Sequence, residues 1–491
     1  MRMSKQCVSV LATVVAACGT CAVAQPIVGP QMIVDPNNTT GAGVNETSMS
    51  VADANPDHIV GGWNDYRTQI RSVFTRSFDG GQTWFDQEIR PPAAFRTSVE
   101  GDPMMAHDHR DGTLYAGAMA FGANGGIYVA RKDPGDTFFQ PSVMARIDGG
   151  VDKGWMAVGV DPSDPNNINK SKLYIAYNQG VSRTSDKGAT WQGPVYLGSG
   201  LGFLPQTASD GTLYVLYWPF GTNQILLRKS EDGGVTFSNP TLAATRLDVW
   251  GVDGSRYPGN FRVPPLAYLA VDPNNENLYV TYFDTTQVSG GNRDTDLYFT
   301  KSTDGGTTWT TPTIINGGAG NPQADCFFPW MEVDRTGRIG MVFYDTRHGG
   351  LNDSAGFALI DTYFSYSEDE GATWNEIRLT PQFWDSRFDG NGGGFVGDYL
   401  GMGQARGEGG DYYWPLYLSG QANRPNQYTN KIYFPCIADF NGDEQVNTND
   451  VLAFLNAWNA RDPRADVNGD GNINTNDVLA FLNEWNDPCS L

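Results

Sequence analysis

The chain has 491 residues, of which 59 are glycine, 28 are proline and only 18% are charged. This length exceeds that of one ordinary domain, and the glycine content favours a β protein that is rich in turns. The net charge of −22 disfavours binding to nucleic acids and to anionic membranes, and it favours divalent cations or neutral glycans as ligands. After the N-terminal region, no segment has the roughly 18 apolar residues that a membrane span needs.

The chain begins with the features of a secretory signal peptide, which we expect to comprise residues 1–24. Arg2 and Lys5 precede a short apolar run at residues 8–17, and Ala22-Val23-Ala24 supplies the small residues of a cleavage site. A lipoprotein signal is an alternative, because Val15-Ala16-Ala17-Cys18 loosely fits a lipidation sequence. Either signal predicts a secreted protein that could also be associated with the cell surface.

Residues 25–435 are organised around one repeated motif, S/T-x-D-x-G-x-T-W/F. The Asp can cap backbone N–H groups two residues on, the Gly allows a positive φ, and the Thr and aromatic residue can start the next strand. We therefore interpret each copy as the turn of a β-hairpin. Five close copies occupy residues 77–84, 184–191, 230–237, 302–309 and 367–374, and a degenerate copy occupies residues 131–138.

This motif resembles the Asp-box of sialidases, and the resemblance implies a sialidase-like β-propeller in which the boxes are structural turns. Each unit has about four short alternating strands, as a propeller blade does. The seventh unit has only three and no box, but residues 26–34 can complete it and close the ring. We predict an all-β fold of seven blades, or six if two units merge. First strands are predicted near residues 48–52, 103–106, 155–160, 204–208, 266–271, 328–333 and 396–403.

Residues 436–491 form a second module with two copies of a calcium-binding pattern. Each copy offers side-chain oxygens at loop positions 1, 3, 5 and 12 and a backbone carbonyl at position 7, and a helical segment follows. Two such loops ending in Asp resemble a dockerin, the α-helical calcium module that docks cohesin domains. The resemblance implies two calcium ions and a cohesin-like partner on a surface or complex scaffold. The implied ligands are Asp439, Asn441, Asp443, Gln445 and Asp450, and Asp466, Asn468, Asp470, Asn472 and Asp477.

Three cysteines remain after the predicted signal peptide. Cys436 and Cys489 bracket the tail, and in an oxidising compartment we expect them to form a disulfide. Cys326 is then expected to be a buried thiol outside any disulfide. In the first calcium loop, Glu444 occupies the position where glycine is usual, which predicts a weaker or strained site.

Candidate catalytic residues follow from the expectation that propellers bind ligands at the mouth of the central channel. A sialidase would need three arginines, a Tyr nucleophile assisted by Glu, and an Asp acid/base. Phe261-Arg262-Val263-Pro264 resembles the sialidase motif Phe-Arg-Ile-Pro, but it precedes the fifth unit rather than the first box. The candidates are Asp398, Tyr399, Asp325, Glu100 and Arg262, and Glu46, Asp102, Asp152 and Lys153 are further polar residues expected at the mouth.

Several of these residues also have structural explanations. Asp398 could satisfy buried backbone groups where the ring closes. Arg67, Arg347 and Arg387 each follow an Asp in an Asp-x-Arg context, which predicts ion pairs within blades. Aromatic residues could stack on sugars, but most are expected to fill the space between blades. These aromatic residues are Trp63, Trp155, Trp218, Trp330 and Trp384.

Two functional hypotheses remain open. The chain could be a secreted glycoside hydrolase of the sialidase-like superfamily, an exo-α-sialidase for example, which its dockerin-like tail delivers to a complex or surface. Alternatively, the propeller could bind a glycan or a protein without catalysis. The tail favours the first hypothesis, whereas the displaced arginine motif counts against sialic acid as the substrate. A polysaccharide lyase is a third alternative.

Overall fold

The computed structural model describes residues 26–53, 55–167, 169–247, 250, 261–289, 292–317, 325–349, 351–352, 357–392, 394–407, 410–443, 445–468 and 471–486. The predicted signal peptide, Glu444, Asp470 and Cys489 lie outside these residues. The chain divides into two compact units, a large one of residues 27–407 and 411–433 and a smaller one that contains residues 434–491. None of the helices described is long and apolar enough to cross a membrane.

The large unit consists of seven antiparallel sheets, so the predicted seven-bladed all-β propeller is confirmed. We number the blades from the N-terminus. Blade 1 contains Val44–Ala52, Asn55–Asp65, Arg71–Ser77 and Phe85–Glu88. Blade 2 contains Val99–His107, Leu114–Phe121, Gly126–Lys132 and Val143–Ile147. Blade 3 contains Trp155–Val160, Ser171–Tyr177, Gly180–Thr184 and Gln192–Tyr196. Blade 4 contains Gly200–Thr207, Leu213–Pro219, Gln224–Ser230 and Thr241–Thr245. Blade 5 contains Ala267–Val271, Leu278–Ser289, Asn292–Ser302 and Thr313–Ile314.

Blades 6 and 7 depart from the simple four-stranded pattern. Blade 6 contains Cys326–Val333, Ile339–Asp345, Phe357–Ser367 and Asn375–Arg378, with Leu351–Asn352 and Trp384–Asp385 as short additions to its third strand. Blade 7 contains Gly401–Gly407, Gly410–Ser419, Asn426–Thr429, Ile432–Pro435, Ile27–Val28 and Met32–Ile33. Short 3-10 helices occur at Ala93–Phe95, Ser386–Phe388 and Gln421–Asn423.

The ring closes in blade 7, where the N-terminal segment supplies the outer edge as predicted. Ile27 pairs with Tyr433 and Met32 pairs with Thr429, both in antiparallel register. This edge is two short strands rather than one, because Pro30 lies between them and has no N–H to donate.

The seven first strands line the centre, and each contacts the next around the ring, including the last and the first. At the closing contact, a Cβ on Gly401 would lie 2.7 Å from the carbonyl oxygen of Thr47, so glycine permits the close approach. The seventh first strand begins at Gly401 rather than near residue 396. Asp398 and Tyr399 therefore lie in the segment that enters this strand.

The Asp-boxes are turns held by the Asp side chain, shown here by the box at residues 302–309. Asp304 accepts hydrogen bonds from the N–H of Thr308 (2.8 Å) and from its hydroxyl (2.6 Å), and Trp309 Nε1 donates to Gly306 O (3.3 Å). These bonds lower the pKa of Asp304 to about 2. The Asp thus caps the N–H four residues on rather than two, because the Thr at that position offers two donors. The same pair of bonds is made by Asp79, Asp186, Asp232 and Asp369.

The small unit contains two helices, which we call α1 (Thr448–Ala460) and α2 (Thr475–Asn486), and a 3-10 helix at Pro463–Ala465. A capping box starts α1, in which the Asn447 side chain caps the helix and Asp450 accepts from the Asn447 N–H. The helices share a core in which the rings of Phe454 and Phe481 stack 4.3 Å apart. The predicted α-helical module after the propeller is confirmed.

Closure by the N-terminal segment predicts different effects for two adjacent residues. Val34 is fully buried and its N–H donates to Gln427 O (2.8 Å), whereas Ile33 is 47% exposed. We expect Val34→Ala to lower the unfolding free energy of the propeller by about 2 kcal/mol, because it leaves a cavity at the closing blade. Ile33→Ala is the matched control and should change it little. Equal midpoints in chemical denaturation for the two variants would contradict this role of the segment.

Candidate functional site

One mouth of the channel carries polar residues on strained backbone. Glu46, Asp102 and Lys153 have φ values of 56°, 55° and 48°, in the left-handed region that non-glycine residues rarely adopt. In blades 1 and 2 the pairing register shifts beside these residues, which marks β-bulges. Bulges re-aim side chains and such strain concentrates at functional sites, so the entrances of three first strands indicate a candidate site.

These residues face a cavity of about 440 Å³. It brings together two of the five candidate catalytic residues, Asp398 and Arg262, with all four of the further polar residues expected at the mouth. The lining that the sequence did not indicate includes Asn64, Tyr66 and Phe395. Asn64 and Tyr66 belong to the second strand of blade 1 and the turn after it, where no repeat pattern pointed to a ligand.

Lys153 is the centre of the charged network in this cavity. Its Nζ lies 2.9 Å from Asp398 Oδ2, 3.1 Å from Glu46 Oε1 and 4.0 Å from Asp102 Oδ2. Its side chain is only 4% exposed. Burial acts to lower the pKa of Lys153, but the charges of Asp398 and Glu46 outweigh it and hold this pKa above its ordinary value.

Asp398 also binds Arg262, so one carboxylate joins two cations. Arg262 Nε donates to Asp398 Oδ1 (2.8 Å) and Nη2 donates to Oδ2 (2.5 Å). Burial acts to raise the pKa of Asp398, but Lys153 and Arg262 hold it below its ordinary value. The Arg262 side chain is 42% exposed, and its guanidinium lies 4.7 Å from the centre of the Phe395 ring. Arg262 therefore presents a charged face to the cavity while paired.

Two other carboxyls of the mouth hold protons more tightly than usual. Burial raises the pKa of Glu46 well above its ordinary value, against the charge of Lys153 and with help from Asp102 and Asp398. Burial and the charge of Asp102 raise the pKa of Asp152 to about 6. A carboxyl group with a pKa near 6 can donate or accept a proton near neutral pH.

A layer of four aromatic rings, which we call the aromatic layer, lies beneath the network. Tyr399 is buried, and Lys153 Nζ lies 4.3 Å from the centre of its ring. Trp155 contacts Tyr399 and Tyr268, with ring centres 5.6 and 5.9 Å apart, and Trp330 lies 5.0 Å from Tyr268. Trp155 and Trp330 also line a second cavity at the other end of the first strands. The aromatic layer thus separates the two ends of the channel.

Glu100 and Asp325 do not line the mouth cavity. Glu100 forms a two-point ion pair with Arg90, with N–O distances of 2.9 and 2.8 Å. Asp325 is fully buried and accepts a hydrogen bond from the Thr295 N–H (2.7 Å). Each of these carboxylates therefore binds a structural partner and does not join Asp398 in the mouth cavity.

The structural explanations for the remaining residues are confirmed. Arg67, Arg347 and Arg387 each donate through Nε and the backbone N–H to the Asp two residues earlier. Cys326 is a buried thiol outside any disulfide, and its Sγ donates to Asp345 (3.1 Å). The disulfide of Cys436 with Cys489 stays a prediction. Buried core positions are occupied by Trp63, Trp218 and Trp384.

The first loop of the small unit gathers carboxylates as the calcium pattern requires. Oxygens of Asp439, Asp443 and Asp450 lie within 4.8 Å of one another. Asp450 is fully buried, and its two oxygens accept from the N–H groups of Asn441 and Asn447 at 3.0 and 2.9 Å. These bonds orient the ligands of one loop around a common point, which fits calcium.

The second loop repeats this arrangement in its described residues. Asp477 is fully buried and accepts from the N–H groups of Asn468 (3.3 Å) and Asn474 (2.7 Å). Within the described chain, the buried Oδ1 of Asp466 has no hydrogen-bond partner. A cation would satisfy this oxygen, so this loop also fits calcium.

Both helices expose leucines at equivalent positions of the repeat. Leu452 and Leu455 of α1 are 60% and 43% exposed, and Leu479 and Leu482 of α2 are 61% and 37% exposed. The two repeats therefore expose apolar side chains at the same positions.

The network around Lys153 predicts a pH-dependent loss of stability. Lys153→Met leaves Glu46 buried without its nearest counter-charge, while Asp398 keeps Arg262, so we expect about 3–5 kcal/mol less unfolding free energy at neutral pH. Without the cation, the pKa of Glu46 would lie still further above its value in the unfolded state. The folded variant would then bind more protons than the unfolded variant does. The loss of unfolding free energy relative to the unchanged chain should therefore grow as the pH rises from 5 to 8.

Denaturant unfolding of the full chain at several pH values measures this deficit. Lys170→Met is the matched control, because Lys170 is 54% exposed and pairs with Asp164 (2.8 Å) at the surface. Equal unfolding free energies of the Lys153→Met and Lys170→Met variants at pH 8 would contradict the central role of Lys153.

Comparison with known proteins gives a family match for the tail and distant structural likenesses that cover most of the chain. Residues 437–486 match the family model of the dockerin type I domain. No curated protein matches the chain. Similar solved structures include a protein of unknown function from Dyadobacter fermentans DSM 18053 (14% identity, TM-score 0.45, covering 83% of this chain and 99% of that chain).

Two further similar structures are named as glycan-cleaving enzymes. Penicillium chrysogenum α-L-arabinanase is 11% identical with a TM-score of 0.43, over 84% of this chain and 99% of that chain. The Hadza microbial sialidase Hz136 is 16% identical with a TM-score of 0.40, over 79% of this chain and 65% of that chain. These likenesses are too distant to assign an activity. The chain is therefore a seven-bladed β-propeller that ends in a segment matching the dockerin type I domain.

Proposed function

We propose that the chain is a secreted glycoside hydrolase that cleaves a neutral glycan at the acidic mouth and is attached to a scaffold by its C-terminal module. The observation that carries the catalytic part is the set of four carboxyls around Lys153 in one open cavity. Glycosidases need one carboxyl that donates a proton and a second that acts as base or nucleophile.

We assign the proton donor to Asp152 and the second carboxylate to Asp102. Asp152 lines the cavity, and its pKa of about 6 keeps part of the population protonated near neutral pH. Asp102 lines the same cavity beside Lys153. Glu46 lines the same cavity, and Asp102 is one of the groups that raise its pKa, which supports a role of Glu46 in positioning Asp102.

The remaining candidates receive binding or positioning roles in this proposal. Arg262 and Phe395 offer a polar group and an apolar ring to a sugar, and Asp398 holds Arg262 in place. Burial raises the pKa of Tyr399 well above its ordinary value, which supports a place in the cavity floor rather than a nucleophile. Glu100 and Asp325 are assigned to positioning the blades.

A neutral substrate fits this mouth better than sialic acid does. The only arginine among the described residues of the cavity lining is Arg262, and Asp398 already neutralises it. The carboxyls outnumber the cations there, so an anionic sugar would meet repulsion. A non-catalytic glycan-binding propeller is the alternative, and the pairing of both Lys153 and Arg262 with carboxylates favours it.

For the tail, we propose two calcium ions and a cohesin-type partner. The oriented carboxylates of the two loops support one ion each, and the ions would fix the starts of α1 and α2. The exposed Leu452 and Leu479 on these helices support an apolar contact with the partner. Such docking would place the protein outside the cell, on a scaffold or surface.

The catalytic proposal is tested by incubating the full chain with neutral, acidic and sialylated polysaccharides and measuring both binding and released sugars. We expect release from a neutral glycan, with a rate that falls as the pH rises through about 6 and Asp152 loses its proton. Asp152→Asn should lower this rate by about 10²–10⁴-fold because the proton donor is lost. Its thermal midpoint should not fall, since the substitution removes a poorly solvated charge.

Asp164→Asn is the matched control, because Asp164 pairs with Lys170 at the surface, outside the cavity lining. Binding without released products would show a recognition module. Equal rates for Asp152→Asn and the control would remove Asp152 from the mechanism.

The tail is tested by capture of the full chain on a panel of immobilised cohesin domains. We expect capture in calcium and none in excess chelator, because the loops lose their cations. The double substitution Leu452→Asp with Leu479→Asp should abolish capture, since either repeat could otherwise supply the contact. Asn459→Asp, on an exposed part of α1, is the control. Capture that survives both chelation and the double substitution would contradict this docking surface.

A further inference from the structure

The second cavity of the propeller lies at the end of the first strands opposite the acidic mouth. It has a volume of about 290 Å³, and Trp155 and Trp330 of the aromatic layer form part of its lining. Its lining includes His107, His109, Glu332 and Arg406, which lie at or near the ends of first strands of blades 2, 6 and 7. Two of the four histidines in the chain are therefore at this cavity.

These histidines form a compact group with Asp53, which follows the first strand of blade 1. Their rings have centres 4.6 Å apart, and His109 Nδ1 lies 2.5 Å from Asp53 Oδ2. One ligand atom from each of the three residues lies within 4.8 Å of the other two. The N–H of Arg406 donates to the other oxygen of Asp53 (3.1 Å), which orients the carboxylate.

His107 provides an independent indication of a ligand. The residue is only 8% exposed, yet neither of its ring nitrogens has a hydrogen-bond partner among the described residues. Leaving buried polar nitrogens unsatisfied is unfavourable by a few kcal/mol unless something else binds them. A metal ion bound to one nitrogen would satisfy it, and the ring stands next to two further metal-ligating side chains.

The chemical nature of these three ligands favours one class of metal ion. Two imidazoles and one carboxylate suit zinc and similar transition metals, whereas calcium prefers six to eight oxygens. Ligand atoms of one tetrahedral zinc ion lie roughly 3.3 Å apart, so the 2.5 Å pair of His109 and Asp53 must open as the three side chains take up the ion. Rotation of His109, which is 45% exposed, can provide this adjustment.

We propose that Asp53, His107 and His109 bind a zinc-class divalent cation at this second cavity. The three side chains leave at least one position of a tetrahedral ion open toward the cavity. The carboxyl of Glu332 lines the same space and accepts a hydrogen bond from Trp330 Nε1 (2.9 Å). The site shares no residue with the acidic mouth or with the two loops of the tail.

Zinc titration of the full chain, freed of any affinity tag, tests this site by calorimetry in saturating calcium, which fills the loops of the tail. We expect one equivalent of zinc to bind, and we expect His107→Ala and His109→Ala each to lose that equivalent. His348→Ala is the matched control, because His348 is 46% exposed as His109 is, but it contacts Tyr363 in blade 6. The control should bind zinc as the unchanged chain does.

Cobalt substitution gives a second readout. Bound Co²⁺ should produce visible absorption bands that zinc displaces, and the bands should be absent in His109→Ala and Asp53→Asn. These two variants alter partly exposed side chains, so the test does not depend on whether His107→Ala folds. Failure of the unchanged chain to bind zinc, or equal binding by the His109→Ala and His348→Ala variants, would overturn the proposal.

Discussion

The propeller depends on the hydrogen bonds that join the N-terminal segment to blade 7. Ile27 and Met32 pair with strands from the other end of the large unit, and without these pairs the strands Asn426–Thr429 and Ile432–Pro435 would form an uncovered outer edge of blade 7. The mouth depends on the same closure, since Lys153 comes from blade 3 while its partners Glu46 and Asp398 come from the first and last blades. One set of backbone bonds therefore supports both the fold and the charged network.

Within that ring, the function we propose uses places where the strands are irregular. The bulges at Glu46 and Asp102 turn carboxyls into the channel, and the segment before Gly401 brings Asp398 to the same point. Regular strands would alternate side chains between faces and could not present these groups together. The Asp-boxes of blades 1 to 6 lie elsewhere in their blades, where they stabilise turns. The carboxylates of these boxes are thus kept apart from the candidate functional carboxylates at the mouth.

The sequence predicted those features that depend on short spacings. The box motif indicated the hairpin turns, the strand pattern gave seven blades, and the Asp-x-Arg context indicated the local ion pairs. It placed Glu100 among the catalytic candidates and Glu46 only among the further polar residues, although both lie on first strands and Glu46 is the one that lines the mouth cavity. Their surroundings differ only through other parts of the chain: Arg90 binds Glu100, whereas Lys153 attracts Glu46. The histidine pair went unnoticed because its partner Asp53 belongs to another blade.

The aromatic layer determines how a sugar chain could enter the propeller. Trp155, Tyr268, Trp330 and Tyr399 contact one another between the mouth network and the second cavity, and we infer that they form the floor of the mouth. A pocket with a closed floor accepts the terminus of a polymer, whereas an open groove accepts its interior. The glycan site proposed here would therefore trim residues from chain ends, and its products would have to leave by the route through which the substrate entered.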